Sequence, residues 1–192
     1  MLLAVTNRFL CKEPFLERIK KIAKEEKADY LILREKDLEQ KQYYSLAEKC
    51  KEILENSSVR LVLHSDIETA QKLFVDAIHF PFSIFKEKYL SLSEEEKQFF
   101  TLVGVSVHTV EEAIFVEKHG GSYLMAGHIF ATDCKKGLTP RGIEFLKEIC
   151  ENVSIPVYAI GGITLERMQV IQKAGACGGA IMSGFMKDEC YL

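Results

Sequence analysis

The chain has 192 residues, of which 47% are hydrophobic, and a formal net charge of −3 at pH 7. This length suffices for one well-buried core and is short for two ordinary domains, so we expect a single domain over residues 1–192. The absence of a basic stripe argues against nucleic acid as a partner, and no apolar run approaches the roughly 20 residues of a membrane span. Six scattered cysteines indicate reduced thiols in a cytoplasmic protein.

In chain order, short apolar segments alternate with amphipathic ones, which is the pattern of repeated βα units. Strands are predicted at residues 2–6, 30–33, 60–64, 77–80, 102–107, 123–130, 157–160 and 180–182. The first two helices predicted between them cover residues 15–23 and 38–54, and the third runs through Ala70, Leu73 and Phe74. A short fourth helix is predicted to begin near Ser93, and a fifth at a capping box on Thr109. The sixth lies within residues 140–149, and the seventh follows an N-cap at Thr164.

Eight such units predict a parallel sheet that closes into a TIM (β/α)8 barrel. The chain ends eight residues after Gly184, so the last helix is expected to be short or missing. A doubly wound open sheet is the rival architecture, but it usually has a glycine-rich first turn, and the first turn here is Thr6-Asn7-Arg8-Phe9. We therefore predict the barrel.

Two turns rich in small residues follow the seventh and eighth predicted strands. Gly161 and Gly162 follow the seventh, and Met182 and Ser183 follow the eighth. Uncovered backbone N–H groups at two adjacent strand ends make a cradle for an anion, and these two loops are the frequent phosphate site of βα barrels. One Gly-Gly pair could serve only a tight turn, but the paired arrangement favours phosphate binding by these four residues.

Further candidates lie at the C-terminal ends of other strands, where barrel enzymes carry their active sites. Arg34 and Lys36 share one strand face and could meet an acidic group of a ligand, or could instead pair with Glu35 and Asp37 on a rim. The other candidate substrate-binding residues are Ser106, His108, Thr132 and Lys135.

His128 is the candidate acid–base residue. It follows Gly127 in the sixth predicted strand, and an imidazole facing the barrel interior can exchange protons near neutral pH. A hydrogen-bonded core histidine is the alternative. Cys134, beside Lys135, is first a loop residue and only second a candidate nucleophile.

These residues carry a resemblance to a known family. The segments 126–137, 141–142, 156–164 and 174–184 resemble the thiazole tautomerases of the TenI type and, more broadly, the thiamine-phosphate synthase superfamily. Residues 34–36 and 104–108 fit the same superfamily at its second and fifth strands. The resemblance spans nearly the whole chain and is weakest between residues 37 and 100.

Two departures from the family pattern separate its activities. Thiamine-phosphate synthases carry an Asn-Asp pair after strand three and another Asp near strand four, which hold Mg²⁺ and the pyrimidine pyrophosphate. The matching positions here are His64-Ser65 and residues 79–83, without a carboxylate, and Asp66 could substitute only with a slipped register. Where synthases typically have Gly-Pro, this chain has Gly127-His128.

The resemblance therefore implies an isomerase, a thiazole tautomerase of thiamine biosynthesis that uses neither metal nor cofactor. His128 would move one proton on a thiazole carboxylate phosphate, which makes the ring aromatic. Two alternatives stay open: thiamine-phosphate synthase with altered metal ligands, which condenses hydroxymethylpyrimidine pyrophosphate with thiazole phosphate, and a non-catalytic regulatory member of the superfamily. The expected partner is a small phosphorylated thiazole, with no nucleic acid and no membrane, and a homodimer is left open.

Overall fold

A closed barrel of eight parallel strands organises the computed structural model, which describes residues 1–132 and 137–187. The strands are β1 (Leu2–Val5), β2 (Tyr30–Leu33), β3 (Arg60–His64), β4 (Ala77–Pro81), β5 (Leu102–Val107), β6 (Tyr123–Gly127), β7 (Val157–Ile160) and β8 (Gly178–Ile181). Each strand pairs with the next along the chain, and β1 pairs with β8, where Leu3 lies opposite Ala180. The predicted TIM barrel is confirmed.

Helices surround the barrel. In the part of the chain that the structure describes they are α1 (Phe15–Glu25), α2 (Gln40–Leu54), α3 (Ile67–Lys72), α4 (Phe82–Ile84), α5 (Glu94–Gln98), α6 (Val110–Lys118), α7 (Gly142–Asn152), α8 (Met168–Lys173) and α9 (Ser183–Lys187). A π-helical turn (Phe85–Tyr89) continues α4, and 3₁₀ turns precede α1 and α8 (Arg8–Leu10 and Leu165–Arg167). No helix within residues 1–132 and 137–187 combines the length and apolar character needed to span a bilayer.

The core has two layers because successive side chains of a strand point to opposite faces. The barrel interior holds a compact cluster of nine buried residues: Leu3, Val5, Ile32, Val62, Ala77, Tyr123, Met125, Tyr158 and Ala180. The larger outer layer packs the other strand face, such as Ala4 and Leu63, against apolar helix faces, such as Ile19 and Ala47. The barrel interior is therefore packed with side chains and is not an open channel.

Helix α6 begins as predicted at Thr109, but its capping box is displaced. The Thr109 hydroxyl oxygen accepts from the Glu112 N–H at 3.1 Å, as an N-cap does. The Glu112 carboxylate, however, accepts from the backbone N–H of His108 at 2.6 Å, one residue earlier than a capping box requires. The N–H that precedes the helix is thereby satisfied, and the end of β5 is fixed to α6.

The sixth strand is shorter than predicted. It ends at Gly127, so His128 lies directly after the strand and not within it. The apolar residues that follow still run beside β7, because the N–H groups of Ile129 and Phe130 donate to the carbonyls of Ile160 and Gly161, both at 2.9 Å. Their apolar character thus reflects packing against β7 after the strand has ended.

Candidate functional site

A cavity of about 330 Å³ lies at the C-terminal ends of the strands. The predicted site residues on its lining are His128, Arg34, Ser106, His108, Thr132, Gly161, Gly162, Met182 and Ser183. Lys135, and the alternative nucleophile Cys134, lie outside the described residues. The barrel thus gathers residues from distant parts of the chain at one place, while the roles assigned to them stay predictions.

The turn after β7 requires glycine on two grounds. Gly161 and Gly162 have φ values of 100° and 63°, in the left-handed region that side chains disfavour. A Cβ on Gly161 would also lie 2.5 Å from the Cβ of His128, and one on Gly162 would lie 2.6 Å from the carbonyl oxygen of Ala131. The turn therefore packs directly against the segment that carries His128.

Thr164 follows this turn without capping the helix, contrary to the prediction. Its backbone is extended, but its side chain makes no capping hydrogen bond, and its buried hydroxyl oxygen has no hydrogen-bond partner among the described residues. The turn is held from outside instead, since Arg167 donates to the Gly162 carbonyl at 2.6 Å and stacks over the Phe130 ring at 4.6 Å. An unsatisfied buried hydroxyl beside the turn favours a ligand with acceptor or donor atoms there.

His128 is 5% exposed and lines the cavity. Its Nε2 atom is buried and has no hydrogen-bond partner among the described residues. Buried polar atoms are normally hydrogen-bonded, and a purely structural core histidine would be expected to satisfy this atom within the protein. The arrangement favours a ligand atom as the missing partner of Nε2.

The carboxylate of Glu35 fixes the loop after β2. Glu35 is 4% exposed and accepts hydrogen bonds from the Thr6 hydroxyl at 2.7 Å and from the Arg8 backbone N–H and guanidinium, both at 3.0 Å. Asp37 also pairs with Arg8, and this contact lowers the pKa of the Asp37 carboxyl. Arg8 is therefore a partner of both carboxylates that the rim alternative assigned to Arg34 and Lys36.

Arg34 and Lys36, in the segment that follows β2, both line the cavity. Burial, and to a lesser degree the charge of Arg34, lowers the pKa of the Lys36 ammonium. Burial, with the charges of Arg34 and Lys36 as secondary causes, lowers the pKa of His64 to about 3. This side of the cavity therefore combines two cations with a neutral imidazole, which suits an anionic ligand group.

His79 is a cavity residue that the sequence did not predict as part of the site. It is 2% exposed, with Nε2 at 2.8 Å from the Ser106 Oγ and Nδ1 at 3.0 Å from the Tyr123 hydroxyl. Burial lowers the pKa of His79 well below its ordinary value. The signal in the sequence was its place near the end of the predicted strand 77–80, where barrel enzymes carry site residues, whereas its contact with Ser106 follows only from the strand pairing.

The residues at the family's magnesium positions do not fit that metal. His64 and Ser65 contact each other, with Nδ1 and Oγ 3.1 Å apart, and neither offers a carboxylate. Asp66 caps α3 by accepting from the Thr69 N–H at 2.9 Å, and it lines a groove outside the cavity. Within residues 1–132 and 137–187, no three His, Cys, Asp or Glu side chains are grouped so as to hold a metal ion. Because Mg²⁺ prefers carboxylate oxygens, these donors do not match it.

The fold and the position of the cavity define a (β/α)8 barrel whose functional residues lie at the C-terminal strand ends. Sequence comparison is more specific. The family model described as thiamine monophosphate synthase matches residues 2–185, and the chain belongs to this family.

Individual relatives agree with this assignment. The chain is 35% identical to a protein of Aquifex aeolicus (strain VF5) named putative thiamine-phosphate synthase 2, over 97% of both chains. It is 32% identical to thiamine-phosphate synthase 2 of Streptococcus pneumoniae serotype 4, over 96% of this chain and 87% of the relative. Among solved structures, a thiamine phosphate pyrophosphorylase from Pyrococcus furiosus superposes with a TM-score of 0.79 at 26% identity, covering 98% of this chain and 88% of that one.

These relatives contradict the prediction of an isomerase. Their names denote thiamine-phosphate synthases, which are transferases, and none of the three denotes a tautomerase. The prediction went wrong because it gave decisive weight to His128 and to the missing carboxylates. A phosphate cradle and a cavity at the strand ends suit a synthase as well as a tautomerase. These features therefore could not decide between the two activities.

Proposed function

We propose that this protein is a thiamine-phosphate synthase, which condenses hydroxymethylpyrimidine pyrophosphate with a phosphorylated thiazole. The observation that carries the proposal is the cavity lining, which places a glycine turn and two cations on one space in a chain 35% identical to a putative thiamine-phosphate synthase. A reaction between two phosphorylated substrates needs two anion sites, and we assign one to the glycine turn and the other to the two cations.

The first anion site is the cradle after β7 and β8. The backbone N–H groups of Gly161, Gly162, Met182 and Ser183 would hold the thiazole phosphate. The glycine turn supports this role, because a Cβ at either glycine would collide with the segment 128–131. A phosphate there would leave the thiazole ring directed into the cavity, beside the Nε2 atom of His128, which has no hydrogen-bond partner in the described part of the chain.

The second anion site is the side of Arg34 and Lys36. In the condensation, the thiazole ring nitrogen attacks the methylene carbon of the pyrimidine, a C–N bond forms and the C–O bond to pyrophosphate breaks. The electron pair of that bond leaves with the pyrophosphate, and the thiazole nitrogen becomes positively charged. Arg34 and Lys36 would stabilise the negative charge that develops on the leaving group, since fixed cations act strongly in a partly desolvated site.

The test is a direct assay with both substrates, with added Mg²⁺ and separately with EDTA. We expect thiamine phosphate and pyrophosphate in equal amounts, separated by chromatography. Arg34→Gln should lower the rate by about 10²-fold or more, as expected for loss of a charge that stabilises the transition state. Lys147→Gln, which removes an exposed cation on α7, should leave the rate unchanged. Absence of thiamine phosphate under both conditions would overturn the proposal.

A second candidate is a non-catalytic family member that binds a phosphorylated thiazole. The donor set around His64, Ser65 and Asp66, which does not fit Mg²⁺, favours it. This candidate predicts saturable binding of thiazole phosphate without product in the same assay. Calorimetric titration of the wild-type protein with thiazole phosphate, run beside the assay, separates the two.

A further inference from the structure

A row of three hydrogen-bonded polar side chains runs from the cavity lining into the barrel interior. It begins at the half-buried hydroxyl of Ser106 on the lining, passes through the imidazole of His79, and ends at the phenol of Tyr123 in the barrel interior. The two links measure 2.8 Å from Ser106 Oγ to His79 Nε2, and 3.0 Å from His79 Nδ1 to the Tyr123 oxygen. The direction in which these hydrogen bonds run decides what Ser106 can offer a ligand.

Tyr123 sets the direction. Its hydroxyl is buried, and His79 Nδ1 is its one hydrogen-bond partner among the described residues. Buried donors are normally satisfied, so the phenol O–H donates to Nδ1. Burial also raises the pKa of the Tyr123 hydroxyl, so the phenol keeps its proton. Nδ1 is therefore an acceptor, which in a neutral imidazole places the ring proton on Nε2.

The same logic then fixes Ser106. A protonated Nε2 donates to the Ser106 oxygen, so that the serine proton is not used in this bond. The opposite tautomer would donate from Nδ1 to the phenol oxygen and leave the Tyr123 proton without an acceptor in the described part of the chain. The imidazolium form would place a charge in a fully buried position near Arg34, which follows β2, and both the burial and the charge of Arg34 oppose it.

Gly104 shows that the position of the phenol is built into the barrel. Gly104 lies opposite Tyr123 in the pairing of β5 with β6, and a Cβ there would lie 2.0 Å from the Tyr123 Cζ atom. No side chain other than hydrogen fits between the strand and the ring. The hydroxyl end of Tyr123 is therefore held at Nδ1 by packing as well as by the hydrogen bond.

We infer that Tyr123 and His79 are positioning residues that fix Ser106 as a hydrogen-bond donor to the ligand. The cavity would accordingly select a substrate with an acceptor atom at Ser106, such as an unprotonated ring nitrogen or an oxyanion. A serine nucleophile with His79 as its base is incompatible with this arrangement, because such a base must accept the serine proton on a nitrogen that already carries one. The identity of the ligand rests on the proposed function, whereas the direction of the network does not.

The first test measures the tautomer of His79 and needs no substrate. Two-bond ¹H–¹⁵N correlation spectra of the wild-type protein labelled at its histidines should show a neutral ring protonated at Nε2, assigned by its loss in His79→Gln. Tyr123→Phe removes the donor to Nδ1 and should shift the ring towards the Nδ1-protonated form, in which Nε2 accepts from Ser106. An Nδ1-protonated or charged ring in the wild type, or an unchanged tautomer in Tyr123→Phe, would overturn the inference.

The second test measures affinity by calorimetry, with thiazole phosphate and hydroxymethylpyrimidine pyrophosphate as separate probes. Tyr123→Phe and Ser106→Ala should each weaken the same probe by about tenfold, the size expected for one well-directed hydrogen bond. Tyr158→Phe is the matched control, since its phenol is also in the barrel interior but donates to the Met1 sulfur at 3.1 Å. Equal affinities of Tyr123→Phe and wild type for both probes would contradict the inference. If the wild type binds neither probe, the proposed function fails while the tautomer measurement still decides the network.

Discussion

Single residues show where the chain accepts local strain. Phe74, just after α3, has a φ of 53° and is 80% exposed. A left-handed backbone costs a residue with a side chain roughly 1 kcal/mol or more, and this side chain recovers little of it by packing.

We expect Phe74→Gly to raise the free energy of unfolding by about 1 kcal/mol, measured by urea denaturation, because glycine adopts this backbone without strain. Val170→Gly is the control, since Val170 is also exposed but lies inside α8. There glycine should lower the free energy of unfolding by up to about 1 kcal/mol. A loss of stability in both variants would show that the Phe74 ring packs in solution.

Replacement of His128 should have opposite effects on stability and on ligand binding. Its buried Nε2 lacks a partner in the described part of the chain, so His128→Phe, which keeps a flat ring, should stabilise the ligand-free protein by about 1 kcal/mol. The same variant should weaken binding of thiazole phosphate, because the ligand loses its hydrogen bond to Nε2. Urea denaturation and calorimetry measure the two effects. His119→Phe, at the exposed end of α6, is the control and should leave binding unchanged. If His128→Phe were less stable than the wild type and still bound thiazole phosphate fully, His128 would have a structural role and no role in binding.

At the scale of elements, the cradle between β7 and β8 can be tested by charge. Gly162→Asp is unsuitable, because its Cβ alone would meet the Ala131 carbonyl oxygen at 2.6 Å and disturb the turn. Ser183 is exposed at the start of α9 and tolerates a larger side chain. Ser183→Asp should weaken thiazole phosphate binding by about tenfold or more through charge repulsion, whereas Ser183→Asn, of equal size and no charge, should bind nearly as the wild type does. Equal affinities of the two variants would place the phosphate elsewhere.

Two histidines on β3 and β4, His64 and His79, should make the free energy of unfolding depend on pH. Burial lowers the pKa of His64 to about 3 and that of His79 well below its usual value, whereas both bind protons near pH 6.5 once unfolded. The unfolded chain therefore binds more protons as the pH falls, so stability is full above about pH 6.5 and declines towards pH 3. Each histidine contributes a slope of up to about 1.4 kcal/mol per pH unit. His64→Asn should reduce that slope in urea titrations between pH 6.5 and 4, and an unchanged slope would contradict the assignment.

Elements differ in how far the sequence could predict them. The strands Tyr30–Leu33, Arg60–His64, Leu102–Val107 and Val157–Ile160 match the prediction to the residue, because each is a short segment dominated by apolar residues. The helical segment from α4 to Tyr89 was not predicted from the sequence. Its aromatic residues Phe82, Phe85 and Tyr89 recur at helical spacing, which was the available signal.

The candidate site divides in the same way. Residues at strand ends, such as Arg34 and Ser106, could be placed in one cavity from topology alone, because all parallel strands end on one side. The row from Ser106 through His79 to Tyr123 could not, since it depends on three strands meeting in register and on the absence of a Cβ at Gly104. Sequence spacing carries no information about such contacts between strands.

At the scale of the whole molecule, the barrel fold is present without a recognisable Mg²⁺ site in the described part of the chain. The described residues keep the fold and the anion-binding lining but show no carboxylate group suited to Mg²⁺. We therefore expect titration of the ligand-free protein with MgCl₂ to give no saturable heat at millimolar concentrations. Saturable binding would show that oxygen donors converge in a way that the described residues do not reveal, and a calcium titration serves as the control for nonspecific binding.

Closure of the sheet depends on the pairing of β1 with β8, where residues 2–4 meet residues 179–181. Until β8 has been synthesised, β1 and β7 each present a row of unpaired backbone N–H and C=O groups. Such open edges are templates for pairing with other chains. A nascent or clipped polypeptide that lacks β8 therefore has two strand edges at which it can aggregate. For the nascent chain, the risk of aggregation depends on how quickly β8 is synthesised and pairs with both edges.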